Sequence, residues 1–375
     1  MMTNDISRRD WLRGGSALAL AMVVGSRAHA QNMAVPGFVP TADTPIRLGT
    51  NENPYGLSRT ARNAIIQMFD HAHEYGRGRR MELTQVLSEM EGCDPKNITF
   101  SGGSGEILKT LGLITAVEGG RVLTAEPTYH DLTRYAERRG VPVTRVPVDE
   151  NMTIDLDAMR AAYTDDVSLI YLVNPNNPLP TIMHKEKLKE FCLEMSKKCL
   201  IFIDEAYHEY VNNPDYETML PLAVANENIM VARTASKIHG FAGVRLGIAY
   251  STEKWINKLR EFMTGSTNQL AIAGAVASYQ DTETQDFCRR KNQESLAITY
   301  ALFDKHNVNY VKSNANFVFF ETGIEAPEVR KMFREHGVAV ARPFPPFTKW
   351  CRVSMGKPED MEYFSQVYEK LFVNT

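Results

Sequence analysis

Lys237 stands at the end of Arg233-Thr234-Ala235-Ser236-Lys237, just after an apolar run. A lysine in a poorly solvated cleft loses proton affinity, becomes nucleophilic and can form a Schiff base with an aldehyde. The same residue on a wet surface is an ordinary cation. Asp204 closes the run Leu200-Ile201-Phe202-Ile203. A carboxylate at the end of a buried strand is costly unless paired. Its partner is a helix cap, a structural ion pair, or a protonated ring nitrogen that the carboxylate keeps cationic. A cationic pyridine ring is the electron sink that carbanion chemistry needs. Gly102-Gly103-Ser104-Gly105-Glu106 precedes the helix start Ile107-Leu108-Lys109-Thr110-Leu111. Free amides at such a start bind phosphate, although Gly-Ser loops open many helices. Arg245 follows Lys237 by eight residues, and as a bidentate donor it suits the same phosphate or plain solvent.

The elements that must hold these groups read as an α/β fold. Apolar runs end in polar loops at Ile98–Phe100, Val122–Thr124, Leu169–Val173, Leu200–Ile203 and Ile229–Val231. Continuous rather than alternating apolar runs suit strands buried on both faces. Helical patterns lie between them, as at Lys185 to Lys198, and the alternation predicts a mostly parallel sheet flanked by helices. Ser58 is placed to cap a helix through Ile65, Ile66 and Phe69. Ligands in such sheets sit at the carboxyl ends of the strands. Those ends carry the Gly-Ser loop, Pro127-Thr128-Tyr129, Asn174-Pro175-Asn176-Asn177-Pro178, Asp204-Glu205-Ala206-Tyr207 and Ser236-Lys237. From Ser266 onward, long helical patterns precede short strand signals at Phe317–Phe320, Val338–Val340 and Arg352–Val353, which predict a smaller α+β domain. The expected division is a signal segment at 1–30, an arm at 31–57, a large domain at 58–265 and a small one at 266–375.

The chain has 375 residues, with 43% hydrophobic, 23% charged and a net charge of −3. That composition excludes a disordered or disulfide-stapled chain, and the acidic balance disfavours nucleic acid as a partner. A mean hydropathy of −0.29 is too polar for a multi-span membrane protein. Ser7-Arg8-Arg9-Asp10-Trp11-Leu12-Arg13, a weakly apolar stretch from Gly14 to Gly25 and Ala28-His29-Ala30 follow the order of a secretory signal. The paired arginines resemble a twin-arginine (Tat) signal, so export to the periplasm after folding is expected. An amphipathic helix or an uncleaved anchor is the plainer reading of that segment. The five cysteines, Cys93, Cys192, Cys199, Cys288 and Cys351, are odd in number and lack a CxxC pair, in keeping with folding in a reducing compartment. No metal-ligand spacing is present, and no metal is expected.

In order along the chain, Asn51-Glu52-Asn53-Pro54-Tyr55-Gly56, the Gly-Gly-Ser-Gly-Glu loop, Pro127-Thr128-Tyr129, Asn174–Pro178, Asp204–Tyr207, Thr234-x-Ser236-Lys237, Ala242-Gly243-x-Arg245-x-Gly247, Asn316-Phe317-Val318 and Arg352-Val353-Ser354 resemble the fold-type I pyridoxal-phosphate enzymes. Among these they are most similar to the histidinol-phosphate aminotransferase branch of the class I/II aminotransferases. The resemblance implies pyridoxal 5'-phosphate as cofactor, bound covalently by Lys237, with Asp204 at the pyridinium nitrogen and Asn177 and Tyr207 at the ring 3-oxygen. It implies Tyr129 on the ring face, and Ser104, Gly105, Thr234, Ser236 and Arg245 around the phosphate. Tyr75 matches a tyrosine that reaches the phosphate from a neighbouring subunit, which implies a homodimer with shared sites. Arg352 matches the arginine that grips the substrate's acidic group, and Tyr55, Asn53 and Arg342 would line the substrate side. The implied reaction moves an amino group from an amino acid or amino-alcohol phosphate to a 2-oxo acid. A decarboxylase, racemase or lyase of the same fold is the alternative, and a non-catalytic binding protein a further one.

The chain departs from the family pattern at three places. Pro178-Leu179-Pro180-Thr181 replaces the usual Pro-Thr-Gly, and Pro180 fixes φ and lacks an N–H. Leu57 stands where proline is common. Gly76-Arg77-Gly78-Arg79-Arg80 follows Tyr75, as a solvated charge run or as recognition of an acidic or phosphorylated substrate. Pro343-Phe344-Pro345-Pro346-Phe347 precedes Arg352, and an aromatic wall over the pocket is expected there.

Overall fold

The computed structural model describes residues 39–373, so the signal segment expected at 1–30 lies outside the described residues. Seven strands form the main sheet: β2 (Ile98–Ser101), β3 (Arg121–Glu126), β4 (Val143–Pro147), β5 (Val167–Val173), β6 (Leu200–Asp204), β7 (Ile229–Thr234) and β8 (Gly247–Ser251), in the order β2-β8-β7-β6-β5-β3-β4. Strands β3 to β7 pair in parallel, while β8 runs antiparallel to both β7 and β2. All five apolar runs read from the sequence are strands of this sheet. Strands β5, β6 and β7 are buried almost throughout, because helices cover both faces. One face packs Leu123, Ile170, Ile201 and Ile203 against Leu188, Phe191 and Met195 of the helix Lys185–Met195. The other packs Tyr171, Phe202 and Met230 against Ile107, Leu111 and Ile114 of the helix Ser104–Glu118.

A second core gathers around two smaller sheets. Strand β10 (Phe317–Glu321) lies antiparallel between β9 (Tyr310–Val311) and β12 (Trp350–Ser354). Strand β1 (Ile46–Leu48) pairs in parallel with β11 (Val338–Val340), which brings the arm before residue 57 onto this core through Leu48. Phe303, Phe320, Phe333 and Phe364 fill its centre. The helix Gln269–Gln280 does not join it: Ile272, Ala275 and Tyr279 pack with Phe100, Phe241 and Ile248 of the main sheet's side. The second core therefore starts at the helix Thr282–Lys305, one helix later than the expected boundary at 266. Ser58 caps its helix as expected, accepting from the Ala61 amide, but the α-helix stops at Gln67 and Met68–His71 continues as a 3-10 turn. All five cysteines are free thiols.

Candidate active site

The carboxyl ends of the main-sheet strands and the inner edge of the second core enclose one cavity of about 950 Å³. Ser104, Gly105, Tyr129, Asn177, Asp204, Tyr207, Thr234, Ser236, Lys237, Arg245, Arg342 and Arg352 all line it. Twelve residues expected from the sequence thus converge from eight separate stretches of chain onto one space, most of them because the parallel strands point their ends the same way.

At the floor, Asp204 is buried at the last position of β6 and accepts one hydrogen bond, from the Ala206 amide at 3.1 Å. Burial pushes its carboxyl up to about 7, against the pull of the Ala206 amide and the Lys237 ammonium. A buried carboxylate this poorly paired is stabilised by a cation brought from outside the chain. Lys237 Nζ is half-buried, donates to the Asn51 carbonyl at 3.3 Å and lies 5.2 Å from the Tyr207 ring centre. The Tyr207 hydroxyl accepts from Asn51 Nδ2 at 2.9 Å and Asn177 Nδ2 at 3.4 Å. Its ring is fixed edge-on against Phe317, 5.1 Å between centres.

On one side, Gly103 adopts φ +96° and ends in the helix Ser104–Glu118, whose first amides have no acceptor within the helix. A Cβ on Gly103 would lie 2.1 Å from the Arg245 guanidinium, so glycine is what lets the arginine reach the loop. Arg245 Nη1 donates to Ser236 Oγ and the Ala242 carbonyl, at 3.3 and 3.0 Å. It has no carboxylate partner among the described residues. Thr234 Oγ1 donates to Ser236 Oγ at 2.9 Å. Glu106 braces the loop from behind, accepting from the Gly102 and Gly265 amides at 2.7 and 3.2 Å. Amides, hydroxyls and an unneutralised guanidinium around one cradle bind a phosphate. With Lys237 and Asp204 beside it, the donor set fits a phosphorylated pyridine aldehyde.

On the opposite side, Arg352 is buried, and burial pulls its guanidinium down to about 10. It donates to the Gly49 carbonyl at 2.8 Å and to Asn177 Oδ1. Its Nε is buried without an acceptor, and no carboxylate among the described residues pairs with it. Such a cation is completed by an acidic ligand. Phe344 forms the expected aromatic wall, 4.9 Å from the Arg352 guanidinium and 4.4 Å from that of Arg342. Phe347 instead packs on Phe319 and Trp350, outside the cavity. Leu179, beside the unusual Pro180, is buried against Phe319 and Phe344. The altered loop therefore supports the wall.

Three expected residues are not at the cavity. Asn53 spends its amide nitrogen on the Ile238 carbonyl at 2.7 Å and Cys288 Sγ at 3.3 Å, and its oxygen on the Tyr55 amide at 3.0 Å. Tyr55 stands edge-on to Phe287, 4.9 Å away. Both border a separate small cavity with Tyr210 and Cys288, apart from the cavity that holds the other expected residues. Tyr75 is fully exposed, outside its own chain's cavity. The asparagine that does enter is Asn51, held in place by Ser354 Oγ, which donates to Asn51 Oδ1 at 2.7 Å and accepts from the Asn51 amide at 2.8 Å. Its motif was visible in sequence, but which of two asparagines turns inward depends on φ +54° at Asn51. Arg330 and Arg334, on the helix Ala326–Glu335, also line the cavity and carry no signal in the sequence.

The family profile described as aminotransferase class I and II matches residues 43–367. A histidinol-phosphate aminotransferase of Brevibacillus brevis is 31% identical over 334 residues, 87% of this chain and 90% of that protein. A solved structure from Erwinia carotovora atroseptica, provisionally assigned as a histidinol-phosphate aminotransferase, superposes with a TM-score of 0.85 at 28% identity, over 89% of this chain and 98% of that one. The histidinol-phosphate aminotransferase of Sinorhizobium meliloti in complex with pyridoxal-5'-phosphate has the same fold, with a TM-score of 0.79 at 23% identity over 92% and 100% of the two chains.

Proposed function

Because this chain belongs to the class I and II aminotransferases and uses pyridoxal phosphate, we propose that it passes an amino group from an amino donor bearing an acidic group to a 2-oxo acid, as its histidinol-phosphate aminotransferase relatives are named for doing. The carrying observation is the shared cavity of Lys237, Asp204 and Arg245 with the buried Arg352, whose Nε has no acceptor and which has no carboxylate partner among the described residues. When bound, the cofactor supplies an aldehyde that captures the substrate amine and a cationic ring that stabilises negative charge at the adjoining carbon. Asp204 holds a proton at the ring nitrogen. Tyr207 and Asn177 would donate to the ring oxygen, and Tyr129, whose hydroxyl donates to Asp131 at 2.9 Å, would pack on the ring. Ser104, Gly105, Thr234, Ser236 and Arg245 hold the phosphate. Lys237 Nζ, which reaches into the cavity, would act as the base that takes a proton from the substrate α-carbon and, as its ammonium form, as the acid that gives it back. Arg352 fixes the substrate's acid, and Phe344 excludes water above it.

The experiment is a screen of amino donors and 2-oxo acids with the mature protein, following cofactor absorbance and the stoichiometry of both products. Equimolar exchange of amine for ketone is expected. Release of CO2 or racemisation without exchange would replace the reading with the decarboxylase or racemase alternative. Lys237→Ala should lose turnover by about 10²–10⁴-fold or more.

The reading extends to the assembly and its location. The exposed Tyr75 suits a homodimer in which it reaches the neighbour's phosphate. The twin-arginine motif at Arg8 and Arg9 suits Tat export to the periplasm, and free buried thiols suit folding before export. Arg8→Lys with Arg9→Lys should hold the precursor in the cytoplasm; unchanged export would remove this part.

A further inference from the structure

The wall of the cavity formed by the second core is basic beyond what Arg352 requires. Arg330 and Arg334 lie one turn apart on the helix Ala326–Glu335, and both face the cavity. Neither has a carboxylate within ion-pair distance or a side-chain hydrogen bond among the described residues. The same helix does pair charges elsewhere: Lys331 and Glu335 meet at 3.9 Å on a different face. Two like charges at i and i+4 weaken a helix rather than support it. Arg334 gains some return from the negative end of the helix dipole, but Arg330, a turn earlier, gains little. Arg342 adds a third guanidinium to the rim. Partial burial pulls its pKa down, as does its neighbour Arg134, and its one side-chain hydrogen bond among the described residues is to the Pro343 carbonyl at 3.0 Å.

Of the four acids that line the cavity, Asp43 makes no ion pair with these arginines among the described residues, and the other three are engaged or on the floor. Glu52 is held bidentately by Arg47, at 2.6 and 3.0 Å. Asp131 accepts from Tyr129, and Asp204 lies on the floor. The cavity therefore has two cationic regions on the substrate side, one at the buried Arg352 with Arg342 beside it and one exposed at Arg330 and Arg334.

We propose that Arg330 and Arg334 form a second anion subsite that selects amino substrates or 2-oxo acids carrying an anionic tail, a carboxylate or a phosphate, in addition to the acid held by Arg352. The inference rests on the aminotransferase reading and names its substrate class. An anion in this place relieves the repulsion between the two guanidinium groups one turn apart on the helix, and bidentate contact adds direction to the charge. The residues are exposed, so their substitution does not disturb a core.

The test compares matched pairs on the holoenzyme. L-glutamate is set against L-glutamine, and O-phospho-L-serine against L-serine, as amino donors. The readout is the ratio of kcat/KM for the acidic over the neutral member. The wild type should favour the acidic member, and Arg330→Gln with Arg334→Gln should cut that ratio by roughly 10- to 100-fold. Arg330→Lys with Arg334→Lys, which keeps the charge, should retain most of it. A larger drop for phosphoserine assigns a phosphate tail, and a larger drop for glutamate a carboxylate tail. A ratio unchanged by the glutamine variant overturns the proposal. Calorimetric binding of succinate against butyrate gives a second readout without turnover. Loss of the succinate preference in the glutamine variant supports the subsite, and an equal preference in both proteins overturns it. If the wild type transfers amine from no donor while still preferring succinate, the aminotransferase reading fails and the subsite stands.

Discussion

Asn51 does three things at once: its amide nitrogen reaches the Tyr207 hydroxyl, its carbonyl receives Lys237 Nζ, and its side-chain oxygen accepts from Ser354. It does them from a left-handed backbone, φ +54°, which asparagine tolerates better than most residues. Asn51→Gly keeps that backbone and removes the side chain, so turnover should fall by about 2- to 10-fold through the lost hydrogen bond. Asn51→Ala should add a folding penalty of about 1 kcal/mol, because alanine resists positive φ. Kinetics together with urea midpoints separate the two effects, and equal stability of the variants would refute the strain. Asp204 gives a second residue-level prediction. Burial lifts its carboxyl from 3.8 to about 7 in the cofactor-free fold, so the folded state holds a proton that the unfolded chain releases. Stability from this group is complete below about pH 4 and is lost as pH rises towards 7. Relative to Asp204→Asn, which cancels the opposing slopes of the buried His208 and His239, the cofactor-free wild type should lose ground over that window and then run level. Loading with pyridoxal phosphate should abolish the loss, since a cation beside the carboxylate lowers its pKa. A wild type that gains on the variant as pH rises would contradict the burial. Lys237, Asp204 and Arg245 were legible because each residue type suits one piece of chemistry and each follows a strand or glycine loop. Asn51 was hidden behind Asn53, since one backbone angle decides which of the two faces the cavity.

At the scale of elements, the loop Gly102–Gly105 and the strand entering at Gly247 act as one unit. A Cβ on Gly247 would stand 2.4 Å from the Ser104 amide nitrogen and 2.5 Å from the Gly103 carbonyl carbon, so the strand backbone touches the loop directly. Gly103→Ala forces its methyl group into the Arg245 guanidinium at a backbone angle that alanine resists. Cofactor affinity should fall by about 10- to 100-fold, the worth of a charge-assisted hydrogen bond, as read by titrating absorbance with pyridoxal phosphate. An unchanged affinity would show that Arg245 does not need the loop's close approach. The same elements show what the sequence could and could not reveal. Five strands, the edge strand β2 among them, were readable because burial on both faces leaves an unbroken apolar run. Strand β4 was not, because the sheet edge leaves most of its residues half-exposed. Strand β8, Gly247-Ile248-Ala249-Tyr250-Ser251, was masked by its small and polar ends, although every residue is buried. The helix Gln269–Gln280 is rich in Ala and apolar nearly all round, so its pattern does not say which core it joins. Arg330 and Arg334 look like ordinary solvent-facing helix residues until the fold opens a cavity beneath them.

At the scale of the whole molecule, four large apolar side chains stand exposed within one short stretch of the chain. Ile66 and Phe69 on the first helix and its 3-10 extension, with Tyr75 and Met81 just beyond, are 58%, 59%, 101% and 73% exposed. Large apolar side chains clustered this way mark contact surfaces, and the sequence registered only Tyr75, through its resemblance to a residue that acts in a neighbour's site. Phe69→Glu with Met81→Glu should convert a two-chain species into a single chain in sedimentation equilibrium. Subunit mixing tests the sharper claim. Lys237→Ala lacks the reacting amine but keeps Tyr75, and Tyr75→Ala keeps the amine but lacks the tyrosine. In a two-fold dimer with shared sites, a hybrid of the two contains one site with both groups intact. Random exchange makes half the dimers hybrid, so mixing the two weak variants should restore about a quarter of wild-type activity per site. Exchange is driven by dilution and reconcentration and confirmed by differently tagged chains. Hybrids that form without recovering activity would mean that Tyr75 serves its own chain or none, and a wild type that sediments as a fully active monomer would remove the shared site altogether.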